Sequence, residues 1–124
     1  MQALLLWSAA LMCLITFGVH VFAGGVYVVR PLLADRTLPK ASKWLNYYCW
    51  HIASILILFL GGAFVYSARS PDRPELAVFA AVLTLTLAVL SALVAVKGHI
   101  HPLRFPSTSL FTLTAFLSFS GIVS

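Results

Sequence analysis

Four histidines are the side chains in this sequence best suited to hold a metal or haem iron: His20, His51, His99 and His101. His20 lies in the apolar stretch Phe17–Leu33, ten residues before Arg30, or ~15 Å along a helix. An ionisable side chain at that depth in a membrane is costly, and it is a functional-site hypothesis by default. The stretch around His20 is therefore the first candidate for a site.

One hypothesis is a b-type haem, because imidazoles from facing helices can ligate iron axially. His20 and His51 are the natural pair, with Tyr27 on the face of His20 and Arg30 available for a haem propionate. The two histidines differ in predicted depth by ~8 Å, which counts against bis-histidine ligation and leaves ligation by a single histidine. The more conservative interpretation of Arg30 is that it reaches the lipid phosphates.

A second hypothesis is a transition-metal site. Gly98-His99-Ile100-His101 together with His51 could supply three imidazoles, which suit zinc, copper or iron. No carboxylate is predicted close enough to complete the ligand set.

A third hypothesis is a pocket for a lipid-soluble molecule such as a quinone. Aromatic side chains and histidine suit such ligands, and the candidates are Phe17, His20, Tyr27, Tyr47, Trp50 and His51. The alternative for every histidine is a packing role, with the ring donating to a neighbouring hydroxyl or carbonyl.

The composition places these residues in a membrane protein. Of 124 residues, 61% are hydrophobic and 9% are charged, against roughly a quarter charged in soluble domains. The net charge of +5 is distributed between the apolar runs, where lipid headgroups are the expected partners. No nucleic-acid partner is expected, because no contiguous basic face is present. Cys13 and Cys49 do not suggest a disulfide framework.

The elements that must position the histidines are four apolar runs, each near the ~20 residues that span a bilayer. They cover about Ala3–Val29, Cys49–Ala68, Leu76–Val96 and Ser107–Val123, with all six prolines outside them. Short connections between the runs favour antiparallel neighbours. We therefore predict an all-α integral membrane four-helix bundle, up-down-up-down, as a single transmembrane domain over residues 1–124.

The distribution of lysine and arginine predicts the orientation. Six of these residues fall in the first and third loops, and only Arg69 and Arg73 fall in the second. Both termini are therefore expected on the non-cytoplasmic side, in a bacterial inner membrane. All four histidines would then lie in or near the cytoplasmic half of the bundle.

The leading functional prediction is a small accessory or electron-transfer component whose histidine cluster binds haem or a metal. The alternatives are a structural subunit of a larger membrane complex, associating with other subunits or with itself, and a small membrane enzyme or carrier for a lipid-soluble molecule. No carboxylate lies within a predicted span, and no nucleotide-binding, serine-hydrolase or zinc-protease motif is present.

Overall fold

The computed structural model describes all residues from Met1 to Ser124. The chain is all-helical and has no strands. Four helices account for most of it: α1 (Gln2–Ala34), α2 (Lys40–Arg69), α3 (Glu75–Lys97) and α4 (Pro106–Val123). A short 3-10 turn, Pro102–Arg104, lies between α3 and α4. All four helices are long and apolar enough to cross a membrane, which confirms the predicted number of candidate spans.

The prediction that α1 ends near Val29 was wrong, because the helix passes through Pro31 and ends at Ala34. Two π-helical segments, Val19–Ala23 and Gly25–Val29, precede the last turn. In the second segment the backbone N–H of Arg30 donates to the carbonyl of Gly25, five residues back. Pro31 thereby occupies the first turn of a new α-helical segment, where its missing N–H breaks no hydrogen bond.

The predicted start of α2 at Cys49 was also wrong, because the helix begins nine residues earlier, at Lys40. The segment 40–46 forms the first turns of α2. Pro39 precedes it and has extended backbone angles, as a residue flanking a helix start does. The bounds of α3 and α4 agree with the prediction to within one residue at each end.

Small and hydroxyl-bearing side chains form much of the contact between the helices. On α3 a narrow face of Thr84, Ala88, Ser91 and Ala95 is buried throughout, whereas large apolar side chains on all four helices are exposed. Small residues allow membrane helices to approach closely where lipid already solvates the large apolar groups.

The four helices are arranged in a ring, in which each helix contacts the next one in sequence and α4 contacts α1. The helix α1 packs most extensively against α2 and α4, and α3 packs most extensively against α4, while the contact between α2 and α3 is smaller. Phe64 and Leu6 are the largest fully buried side chains. They belong to an apolar core that also includes Ala9, Cys13, Ile57, Leu60, Ala77 and Ala80.

Candidate functional site: a cavity beside His20

His20 joins α1 to α2 through both its ring face and one ring nitrogen. The imidazole stacks on the indole of Trp50, with ring centroids 3.8 Å apart and an angle of 16° between the planes. Its Nε2 atom lies 3.2 Å from the carbonyl oxygen of Trp50 and 3.1 Å from Ser54 Oγ. The ring is therefore held in one orientation by the first half of α2.

We assign the hydrogen of the neutral His20 ring from these contacts. A carbonyl oxygen can only accept a hydrogen bond, so Nε2 is protonated and donates to Trp50 O. Ser54 Oγ lies 3.1 Å from the same carbonyl, and its hydroxyl donates there while its lone pair faces Nε2. In the neutral imidazole, Nδ1 is then the hydrogen-bond acceptor.

Gly24 allows the indole of Trp50 to reach α1. A Cβ atom at this position would overlap Cη2 of the indole and would lie 2.9 Å from its Cζ2. Gly24 is also the single residue between the two π-helical segments. Since π-helical turns occur frequently at functional sites, the departure from regular helix and the aromatic stack mark the same part of α1.

A partly open cavity of about 390 Å³ lies against His20. This volume falls within the usual range for small-molecule sites, roughly 300–1,000 Å³. Most of the cavity wall is aliphatic or aromatic, and includes Val19, Val28, Leu56, Ile57, Leu87, Phe105, Leu110 and Phe111. All four helices contribute to the lining, but α3 contributes only Leu87.

The open side of the cavity is marked by lining residues that are themselves exposed. These are Ala23, Tyr27 and Val28 of α1, together with Pro106 at the start of α4. Tyr27 is 80% exposed, and its hydroxyl makes no hydrogen bond within the protein. The opening therefore lies along α1, between its second π-helical segment and the beginning of α4.

The start of α4 adds a hydroxyl group to the lining. Ser107 lines the cavity, and its Oγ lies 2.6 Å from Ser91 Oγ of α3. Ser91 Oγ is in turn 2.8 Å from Thr108 Oγ1. The other lining hydroxyl, Thr16, is occupied within α1, since it donates to the carbonyl of Met12 at 2.7 Å.

The structure brings together part of the predicted aromatic pocket. His20, Tyr27 and Trp50 line the cavity, whereas Phe17, Tyr47 and His51 do not. The exposed ring of His51 instead meets Tyr47 edge-on, with centroids 4.6 Å apart. His20 and His51 thus do not share a cavity. Arg30 is exposed in the last turn of α1 and does not line the cavity either.

The other two candidate metal ligands have local structural roles. His99 has a φ of 57° and follows α3 in a Schellman arrangement, in which Ile100 N–H donates to Ala95 O at 2.8 Å. His101 caps the 3-10 turn, since its Nδ1 accepts from Leu103 N–H at 3.3 Å. The structure contains no group of three or more His, Cys, Asp or Glu residues that could hold a metal ion.

Sequence reasoning missed the contribution of α4 to the site. The sequence predicts only that the fourth apolar run begins near Ser107, although Ser107, Phe105 and Phe111 line the cavity. A proline followed by hydroxyl residues is a general signal for a helix N-terminus. It carries no information about which distant helix that N-terminus will meet.

The fold and the site together define an all-helical protein with four candidate membrane spans and an apolar cavity beside an oriented histidine. Comparison of the chain with protein-family models, curated proteins and solved structures gives no match. Any functional assignment therefore has to be argued from the geometry of the cavity itself.

Proposed function

We propose that this protein is an integral membrane protein that binds a lipid-soluble ring compound, such as a quinone, in the cavity beside His20. The observation that carries the proposal is the cavity itself, about 390 Å³ of mostly apolar space beside one oriented imidazole. Ligand sites typically combine apolar walls with a few fixed polar groups.

The position of the opening favours a ligand that arrives from the bilayer. Tyr27 and Val28 stand beside the opening and are exposed on a helix apolar enough to span a membrane. In a bilayer these exposed side chains face lipid, so an apolar molecule could enter without first crossing into water. The aromatic rings of Phe105, Phe111 and Trp50 offer flat surfaces to a ring-shaped ligand.

The same geometry favours this ligand class over haem or a metal ion. Haem ligation requires an unshared lone pair on an imidazole nitrogen, and Nε2 of His20 does not offer one because it is occupied by Trp50 O and Ser54 Oγ. Only Nδ1 of this single histidine would be left to ligate iron. No second histidine lines the cavity. A metal site would need further ligands, and none is grouped with His20.

The proposal includes an up-down-up-down topology with both termini on the non-cytoplasmic side. Connections of five to eight residues between the helices support alternating directions. Side-chain contacts along α1 and α2 run in opposite order, since Arg69 lies over Trp7 at 5.5 Å while Trp50 stacks on His20. The lysine and arginine distribution then favours a cytoplasmic location for the end of the bundle that contains the cavity and the start of α4, in a bacterial inner membrane.

Fluorescence of Trp50 tests ligand binding at the cavity. In a Trp7→Phe/Trp44→Phe background Trp50 is the only tryptophan, and it lines the cavity. We expect decylubiquinone to quench its emission saturably in detergent-purified protein, because a quinone ring would lie beside the indole.

A filled cavity provides the matched comparison. Ala53→Phe places a large ring on a lining position of α2, whereas Ala41→Phe adds the same ring at an exposed position of α2 outside the cavity. Saturable quenching should be lost in the Ala53→Phe protein and kept in the Ala41→Phe protein. Non-saturable quenching that is equal in all three proteins would contradict the proposed function.

A further inference from the structure

His20 lines the cavity, and Nδ1 is the nitrogen of its ring that remains able to accept a hydrogen bond from a ligand. This atom has no hydrogen-bond partner within the protein. It is not closed off from its surroundings either, because the only buried side-chain nitrogen or oxygen without a partner is Ser67 Oγ. With Nε2 committed as a donor to α2, a ligand that reaches Nδ1 must bring its own hydrogen.

Ser107 offers the complementary group. Three hydroxyls, of Ser91, Ser107 and Thr108, are joined by two hydrogen bonds, so one of their three protons is left over. Either atom of each pair could be the donor. We assign Thr108 as donor to Ser91 and Ser91 as donor to Ser107, because the hydroxyl protons of the two buried residues, Thr108 and Ser91, are then both paired. The remaining proton then belongs to Ser107, the only member of the three that lines the cavity.

From this pairing we infer that the cavity selects the reduced, hydroxyl-bearing form of a quinone-type ligand, a hydroquinone, over the oxidised form. The inference rests on the proposed function and specifies the ligand of the same site. A hydroquinone can donate a hydroxyl to His20 Nδ1, and its oxygens can also accept from Ser107. A quinone has only acceptor oxygens, so it can accept a hydrogen bond from Ser107 but cannot donate one to Nδ1, which stays unpaired.

The decisive measurement is the ratio of two dissociation constants in the wild-type protein. Calorimetric titration under argon, in detergent, would compare decylubiquinol with decylubiquinone. We expect the quinol to bind about tenfold more tightly, because an acceptor left unpaired in an apolar site is costly. Equal binding, or tighter binding of the quinone, overturns this inference and leaves the proposed function standing. Binding of neither form overturns both.

Two variants separate the roles of the polar groups. His20→Phe keeps an aromatic ring against Trp50 but removes Nδ1, so the ratio should fall to about one. Ser107→Ala removes a donor that serves both forms, so both should bind several-fold more weakly with the ratio unchanged. A preference for the quinol that persists in the His20→Phe protein would overturn the assignment of Nδ1.

Matched controls lie outside the cavity. His51→Phe makes the same substitution at an exposed histidine that does not line the cavity, and Ser109→Ala removes an exposed hydroxyl from the same helix as Ser107. Both control proteins should retain the wild-type affinities and ratio. Because the wild-type ratio requires no variant, the inference remains testable even if the His20→Phe protein fails to fold.

Discussion

Polar groups on a helix that crosses a membrane find no water there and are usually satisfied inside the protein. In His20 only one of the two ring nitrogens, Nε2, has such a partner. Nε2 shares the carbonyl of Trp50 with the hydroxyl of Ser54, so α2 orients the ring without using Nδ1. The stack on Trp50 restricts rotation further. The result is a single fixed acceptor beside an apolar cavity, a more selective arrangement than a freely rotating imidazole would provide.

Outside the helices, Asp35 organises the loop that follows α1. Its Oδ1 accepts from Thr37 N–H at 2.6 Å, from the Thr37 hydroxyl at 2.7 Å and from Leu38 N–H at 3.1 Å. Lys43 closes the same loop from α2, donating to the carbonyl oxygens of Leu33 and Asp35. A cation at these last carbonyls also complements the helix dipole of α1.

The Asp35 interactions predict a pH dependence. Hydrogen bonds from the Thr37 side chain first, and then from the backbone of Thr37 and Leu38, lower the pKa of the Asp35 carboxyl group. A carboxyl group with a lowered folded-state pKa contributes stability that is present above its unfolded pKa and is lost as the pH falls through the folded value. The contribution should therefore be complete at neutral pH and disappear below about pH 4.

Thermal unfolding in detergent at several pH values checks this dependence. The wild-type protein should unfold at a higher temperature than the Asp35→Asn protein at pH 7, and the difference should narrow as the pH falls below about 4, the usual pKa of an unfolded aspartate. Asp72→Asn is the control, because Asp72 is an exposed acid in the second loop and its side chain makes no hydrogen bond in the structure. A difference between wild type and Asp35→Asn that is constant across the whole range would contradict the assigned role.

At the scale of the element, the second half of α1 depends on how closely α2 can approach. Gly24 leaves room for the Trp50 indole, since a Cβ atom at this position would overlap the ring. Gly24→Ala should therefore displace the indole and its stack with His20, destabilising the protein by about 1–3 kcal/mol, as overpacking usually does. The neighbouring Gly25 has nothing within 4 Å of an added Cβ.

The adjacent glycines provide an internal control for that prediction. Gly25→Ala should be neutral or stabilising by about 0.5–1 kcal/mol, because alanine loses less backbone entropy than glycine in a helix. Unfolding free energies from titration with a denaturing detergent would measure both variants. If the two substitutions had the same effect, close packing of Trp50 on Gly24 would not be what requires a glycine.

The four candidate spans could be predicted from the sequence, whereas the continuation of α1 through Pro31 could not. Span number follows from runs of apolar residues, a property of composition alone. The passage of α1 through Pro31 depends on two π-helical segments, and Gly24, which lies between them, packs against a tryptophan 26 positions later. Local patterns identify a proline as a helix end, because they contain no information about such tertiary contacts.

At the scale of the whole molecule, the cavity is lined by all four helices, and the helix pairs differ in how extensively they contact each other. The contacts of α1 with α2 and α4 are extensive, that between α2 and α3 is smaller, and α3 supplies a single side chain to the lining. His20, Tyr27 and Trp50 could be predicted as pocket residues because His20 and Tyr27 share one apolar stretch and Trp50 lies at the start of the next, among aromatic neighbours. The role of Ser107 could not, since it depends on α4 packing beside α1.

The orientation of this bundle decides which side of the membrane the cavity end faces. Single cysteines at three exposed loop positions, Leu38→Cys, Pro71→Cys and Leu103→Cys, would report it in a background where Cys13 and Cys49 are replaced by alanine. Because six of the eight lysines and arginines lie in the first and third connections or at their edges, those connections should face the cytoplasm. A membrane-impermeant maleimide should then label only Pro71→Cys in intact cells, and all three after permeabilisation. The reverse pattern would contradict the orientation, and labelling of Leu38→Cys without Leu103→Cys would contradict the alternating topology itself.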